Sequence, residues 1–107
     1  MESCAFGVPT ITTSLSGFGL WCRGIGKDDD ILDAVAVVPR NDSNYDQVVT
    51  SIANLVLRFA EVPHAEVKVI RQEARRVAAR AGWHNFIKFY NQAFDKALKE
   101  ASLRKGL

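Results

Sequence analysis

The chain has 107 residues, a formal net charge of +2, 48% apolar residues and 24% charged residues. Its length is that of one domain or a piece of one, and the balance is globular rather than disordered. A charge so close to zero gives no ground for nucleic acid or an anionic membrane as a partner, and no apolar run approaches the roughly 20 residues that cross a bilayer. Cys4 and Cys22 lack metal-site spacing, and the composition is not that of a secreted disulfide scaffold. No basic stretch followed by an uninterrupted apolar one opens the chain, so a reduced, cytoplasmic setting is expected.

Glu2 to Phe6 read as the last turns of a helix, stopped by Gly7 and kept from continuing by Pro9. Thr10-Ile11-Thr12-Thr13 is β-branched throughout and predicts a strand. Residues 14–30 hold four of the seven glycines, Gly17, Gly19, Gly24 and Gly26, and end in Lys27-Asp28-Asp29-Asp30. They read as loop, with Phe18, Leu20 and Trp21 exposed. In an open parallel sheet, ligands bind where loops leave the carboxyl ends of strands, and Ser16-Gly17-Phe18-Gly19 is placed as such a loop. Ala34-Val35-Ala36-Val37-Val38, closed by Pro39, has the continuous apolar character of a parallel strand buried on both faces.

Asn41-Asp42-Ser43-Asn44 supplies a turn and several candidate N-caps. Three helices follow. The first runs from about Tyr45 to Glu61 on a stripe of Val48, Val49, Ile52, Leu55, Val56 and Phe59. Pro63 separates it from the second, about His64 to Ala81, striped by Val67, Ile70, Ala74, Val77 and Ala78 and ended by Gly82. The third starts near Trp83 with Phe86, Ile87, Tyr90, Phe94, Ala97 and Leu98 at spacings of three and four, and its polar end, Lys99 to Leu107, is expected to fray. The class is α/β, short parallel strands followed by three helices, with a strand–loop region over 1–40 and a helical region over 44–104. Two strands give little sheet to cover and leave edges unpaired. That shortage, with the abrupt start on a helix, predicts the C-terminal part of a larger domain.

Glu2-Ser3-Cys4-Ala5-Phe6-Gly7-Val8-Pro9-Thr10-Ile11-Thr12-Thr13, followed by Leu15-Ser16-Gly17-Phe18-Gly19, closely resembles the glycogen synthases of glycosyltransferase family 3. Trp83-His84-Asn85-Phe86-Ile87-Lys88-Phe89-Tyr90, then Ala93-Phe94 and Ala97-Leu98, is similar to that family's closing helix, and the variant is nearer to compact bacterial members than to eukaryotic ones. The resemblance is strong over 2–19, fair over 83–98 and weak between. It implies the end of the C-terminal, Rossmann-like, nucleotide-sugar-binding half of a GT-B enzyme. Such an enzyme transfers glucose from UDP-glucose to the non-reducing end of an α-1,4-glucan, with retention and without a metal or cofactor.

By spacing alone Glu2 is an exposed acid in a helix. The resemblance implies instead the second of a pair of glutamates eight apart, which hydrogen-bonds the donor ribose; a carboxylate can accept from two vicinal hydroxyls at once. It also puts Ser16, Gly17, Phe18 and Gly19 beside the donor–acceptor cleft, where an ordinary glycine-rich turn is the simpler alternative. The first glutamate, the phosphate-binding residues and the whole N-terminal half lie outside this chain, so no transferase activity is expected of it alone. No catalytic residue is assigned within it.

Asp28, Asp29 and Asp30 are adjacent acids that cannot easily converge on one ion, and a solvated loop is the better reading. His64 and His84 receive no role. Lys68, Arg71, Arg75, Arg76 and Arg80 make the second helix basic. In eukaryotic family members a similar helix binds a sugar-phosphate effector, and Arg71 and Arg76 fall near matching positions. A solvated face with Glu66 and Glu73 interspersed is the favoured alternative. The stripe of the third helix is expected to pack on the missing N-terminal half, or to drive self-association through Phe89 and Phe94. Two other functions stay open: a related GT-B transferase with another donor or acceptor, and a non-catalytic helical interaction module.

Overall fold

A computed structural model describes residues 1–106. In chain order it contains α1 (Glu2–Ala5), β1 (Thr10–Thr13), α2 (Gly17–Gly24), a 3-10 turn (Ile31–Asp33), β2 (Val35–Val38), α3 (Tyr45–Ala60), α4 (His64–Arg80) and α5 (Trp83–Arg104). The fold is α/β, as the sequence predicts. β1 and β2 pair in parallel with Thr10 opposite Val35 and Thr13 opposite Val38.

The short helix α1 stops where glycine allows it. Gly7 takes φ +71°, the Val8 N–H reaches the Ser3 carbonyl at 2.9 Å, and the Gly7 N–H reaches that of Cys4 at 2.9 Å. This is a Schellman closure, which needs a left-handed residue just past the helix end. Ser3 Oγ lies 2.7 Å from Thr10 Oγ1, and Thr10 Oγ1 donates to the Val8 carbonyl at 2.9 Å, so the turn is stitched to the start of β1.

The expected loop over 14–30 is corrected by α2. Ser16 is its N-cap: the Gly19 N–H donates to Ser16 Oγ at 2.9 Å. Phe18, Trp21, Cys22 and Ile25 recur at helical spacing and turn onto the core. Four glycines in seventeen residues disguise this pattern. Two of them have positional reasons. A Cβ on Gly19 would lie 2.0 Å from the Thr13 carbonyl oxygen, and Gly26, at φ +92°, closes α2 with a second Schellman pair from Lys27 to Cys22 and from Gly26 to Arg23. Phe18 and Trp21 are half-buried rather than exposed, whereas Leu20 is exposed as expected.

β2 is the centre of the molecule, and all four of its residues are buried. Alternation sends Val35 and Val37 to one face, with Cys4, Cys22, Ile70, Ala74 and Val77. Ala36 and Val38 go to the other, with Ile31, Val48 and Leu55. α4 covers the first face and α3 the second. A salt bridge of 2.9 Å from Lys27 to Glu73 ties the end of α2 to α4 and holds the Glu73 carboxyl below its usual range.

The helical stripes are used unequally. On α4, Ile70, Ala74 and Val77 are buried, whereas on α3 Val48 and Leu55 are buried but Val49, Ile52 and Val56 are exposed. No residue of α5 is buried. Gly82 redirects the chain, and Asn85 Nδ2 donates back to the Ala79 and Arg80 carbonyls at 3.3 and 3.2 Å, tying the two helix ends. Beyond its first turns α5 leaves the body, and the longest dimension of the molecule reaches 63 Å. It stays helical to Arg104, past the point where fraying is expected; Leu107 lies outside the described residues.

Candidate functional site at the carboxyl ends of the strands

Parallel pairing puts the carboxyl ends of both strands at one edge, where the Ser14 N–H donates to the Val38 carbonyl at 3.0 Å. The Arg40 N–H donates to Ser14 Oγ at 2.9 Å, joining the segments that leave the two strands. α2 starts directly beyond this edge. In open α/β sheets that is where ligands bind.

Ser16 is spent on building the site. Its hydroxyl donates to the Thr13 carbonyl at 3.1 Å and accepts from the Gly19 N–H; Thr12 Oγ1, at 2.9 Å, then supplies the third bond. One donor and two acceptor positions are thereby filled. Gly17, exposed, and Phe18, half-buried, follow as the first turn of a helix rather than a flexible loop. Gly17 is open, with no atom within 4 Å of where its Cβ would stand, whereas Gly19 is buried against the strand. A helix start of this kind offers backbone N–H groups and the positive end of a dipole.

Glu2 stands exposed in the first turn of α1. Its neighbour Met1 shares an open, almost wholly apolar pocket of about 370 Å³ with Gly17, Phe18, Trp21, Phe86, Phe89 and Tyr90. The structure thus brings the head of α1 and the head of α2 to one rim. Phe18 and Trp21 stack at 6.1 Å, and Trp21 meets the edge of Phe86 at 5.7 Å. Sequence reasoning missed this aromatic wall; the spacing of three between Phe18 and Trp21 could have shown that these two share a helix face, but not that Phe86 meets them.

Arg71 and Arg76 are not brought together. Five residues apart, they lie roughly 140° around the helix from one another. Arg71 Nε donates to the Gly7 carbonyl at 3.1 Å, and Arg76 Nη1 pairs with Glu73 at 3.5 Å. Lys68, Arg71 and Arg75 do line a hollow with His64, Ala65, Val67 and Gln72. Among the acids at 28–30, Asp30 caps the 3-10 turn through the Leu32 N–H at 3.0 Å. Among the described residues, no three His, Cys, Asp or Glu side chains form a cluster that could hold a metal ion. Cys4 and Cys22 are free and buried, and burial pushes the Cys22 thiol up to about 11. No helix among the described residues is long and apolar enough to cross a membrane.

The family model described as glycogen synthase matches residues 1–105. A Dictyostelium discoideum protein described as glycogen [starch] synthase is 25% identical over 100 residues. The match covers 94% of this chain and 11% of that protein, so the chain spans about a tenth of its relative's length. No solved structure matches. With residues 1–105 inside the family match, the chain belongs to the glycogen synthase family.

Proposed function

We propose that the chain is the end of the donor-binding, C-terminal half of a cytoplasmic GT-B enzyme of glycosyltransferase family 3, of the compact bacterial type. The parent transfers glucose from UDP-glucose to the non-reducing end of an α-1,4-glucan with retention. In it Glu2 accepts hydrogen bonds from the donor ribose, and the head of α2, Gly17 to Gly19, faces the cleft between the two halves. The meeting of the Glu2 turn and the α2 start at one rim, in a chain of this family, carries the reading.

In the parent the segment before Glu2, with the first glutamate of the pair, contacts the transferred glucose, and the N-terminal half covers the open side of α5, so these residues by themselves have no transferase activity. Left uncovered, that helix face favours self-association through Phe89 and Phe94. Arg71 and Arg76 face different partners, which favours a solvated face over an effector site.

The test is Glu2→Gln in the full-length enzyme, assayed with UDP-glucose and with ADP-glucose on glycogen. Losing charge-assisted bonds to the ribose should raise KM for the nucleotide-sugar about tenfold, with KM for glucan unchanged. Unchanged donor kinetics would remove Glu2 from the site, and preference for ADP-glucose would replace the donor.

A further inference from the structure

We propose that Arg71 and Arg75 are positioning residues: from α4 they grip the Gly7 turn and so set the orientation of the helix that carries Glu2. This rests on the reading of Glu2 as a donor contact. α1 is a single turn of four residues, which has no stability of its own in water. Its carboxylate makes no ion pair among the described residues, so no charge partner orients the Glu2 side chain. Its orientation then depends on its packing and on its other end, five residues on, at Gly7.

There two arginines one helical turn apart close on one buried backbone unit. Arg71 Nε donates to the Gly7 carbonyl at 3.1 Å. The Arg75 guanidinium occupies the space beside the Gly7 α-carbon: a Cβ there would lie 2.8 Å from Cζ and 2.9 Å from Nε and Nη2. Gly7 is required twice over, by its φ of +71° and by this approach. One flank of the turn is fixed to β1 through Thr10, and buried Cys4 joins the cluster of Ile70, Ala74 and Val77 on α4. Beside that apolar contact, the polar tie from α4 to the turn itself comes from long, exposed side chains, Arg71 through its bond to the Gly7 carbonyl and Arg75 through its packing on the α-carbon. A displacement of about 1 Å at a substrate-contacting group is enough to cost affinity or rate.

The experiment uses the full-length enzyme with Arg71→Met, Arg71→Lys, Glu2→Gln and the double variant Glu2→Gln/Arg71→Met. Arg71→Met should raise KM for the nucleotide-sugar about fivefold, with kcat and the glucan KM held, and Arg71→Lys, which keeps a donor, should recover most of it. If Arg71 acts through Glu2, Arg71→Met should add little once Glu2 is already glutamine. Arg71→Gln replaces the methionine variant if that protein does not fold. A donor KM raised by Glu2→Gln but not by the Arg71 variants overturns this inference and leaves the ribose reading intact. Additive effects in the double variant also overturn it, because Arg71 would then act independently. No effect of Glu2→Gln removes the ribose reading and this inference with it.

Discussion

Residues 1–81 and residues 83–104 obey the same local rules and end in opposite states. In the first region α4 presents Ile70, Ala74 and Val77 and finds Val35, Val37, Cys4 and Cys22 waiting. In the second, α5 presents Phe86, Tyr90, Phe94 and Leu98 at equally good spacing, and no residue of it is buried. Both helices are amphipathic, but only one has a counterpart. A stripe specifies which side of a helix wants cover; it does not supply the cover.

A charge on each helix breaks that comparison most sharply. Val77→Asp puts an unpaired carboxylate at a position 1% exposed. It should cost about 4 kcal/mol or more, enough to abolish cooperative unfolding in urea. Phe94→Asp, at a position 60% exposed, should change the stability of this chain by less than about 0.5 kcal/mol. Repeating Phe94→Asp in the full-length protein sharpens the contrast: a large loss there would mean that α5 is covered by the rest of the chain, and no loss would mean that it stays open.

The two glycines at the head of α2 should separate next. Gly19→Ala forces a methyl group against the Thr13 carbonyl and should cost about 1–3 kcal/mol. Gly17→Ala meets no neighbour and should be neutral or stabilising by about 0.5 kcal/mol. Equal thermal shifts for the two would contradict the helical start.

A further effect is one of pH, in the packed region. The folded Cys22 thiol ionises at about 11 against an ordinary value of 9.0. Between these values the folded chain keeps a proton that the unfolded chain releases, so stability falls as pH rises. The loss should reach about 1.4 kcal/mol by pH 10 and be absent below pH 8. Urea midpoints at pH 8 and pH 10 measure it, and Cys22→Ala should flatten the difference.

Much of the fold is legible in the residues. Gly7 and Pro9 stop α1, the valine run at 35–38 is β2, and Asn44, Pro63 and Gly82 punctuate the three long helices within a residue or two of where they stand. α2 was not legible as a helix, because glycine frequency and the acidic run at 28–30 outweighed a serine N-cap and the 18, 21, 22, 25 spacing. Its glycines serve close approach at Gly19 and termination at Gly26, not flexibility. Of the candidate site, the motif residues were readable from their order; the aromatic wall of Trp21, Phe86 and Phe89 and the grip of Arg71 on Gly7 were not, since each joins residues more than 60 apart.

By itself the sequence determined the α/β class, the element types outside residues 14–30 and the family motifs, because periodicity, caps and turn residues act over one to seven positions. The tertiary structure alone decided which stripes are covered, that the heads of α1 and α2 share one rim, and that Arg71 spends its Nε on the chain's own backbone. Those outcomes depend on contacts between distant segments, and a local pattern carries no information about whether its partner is there.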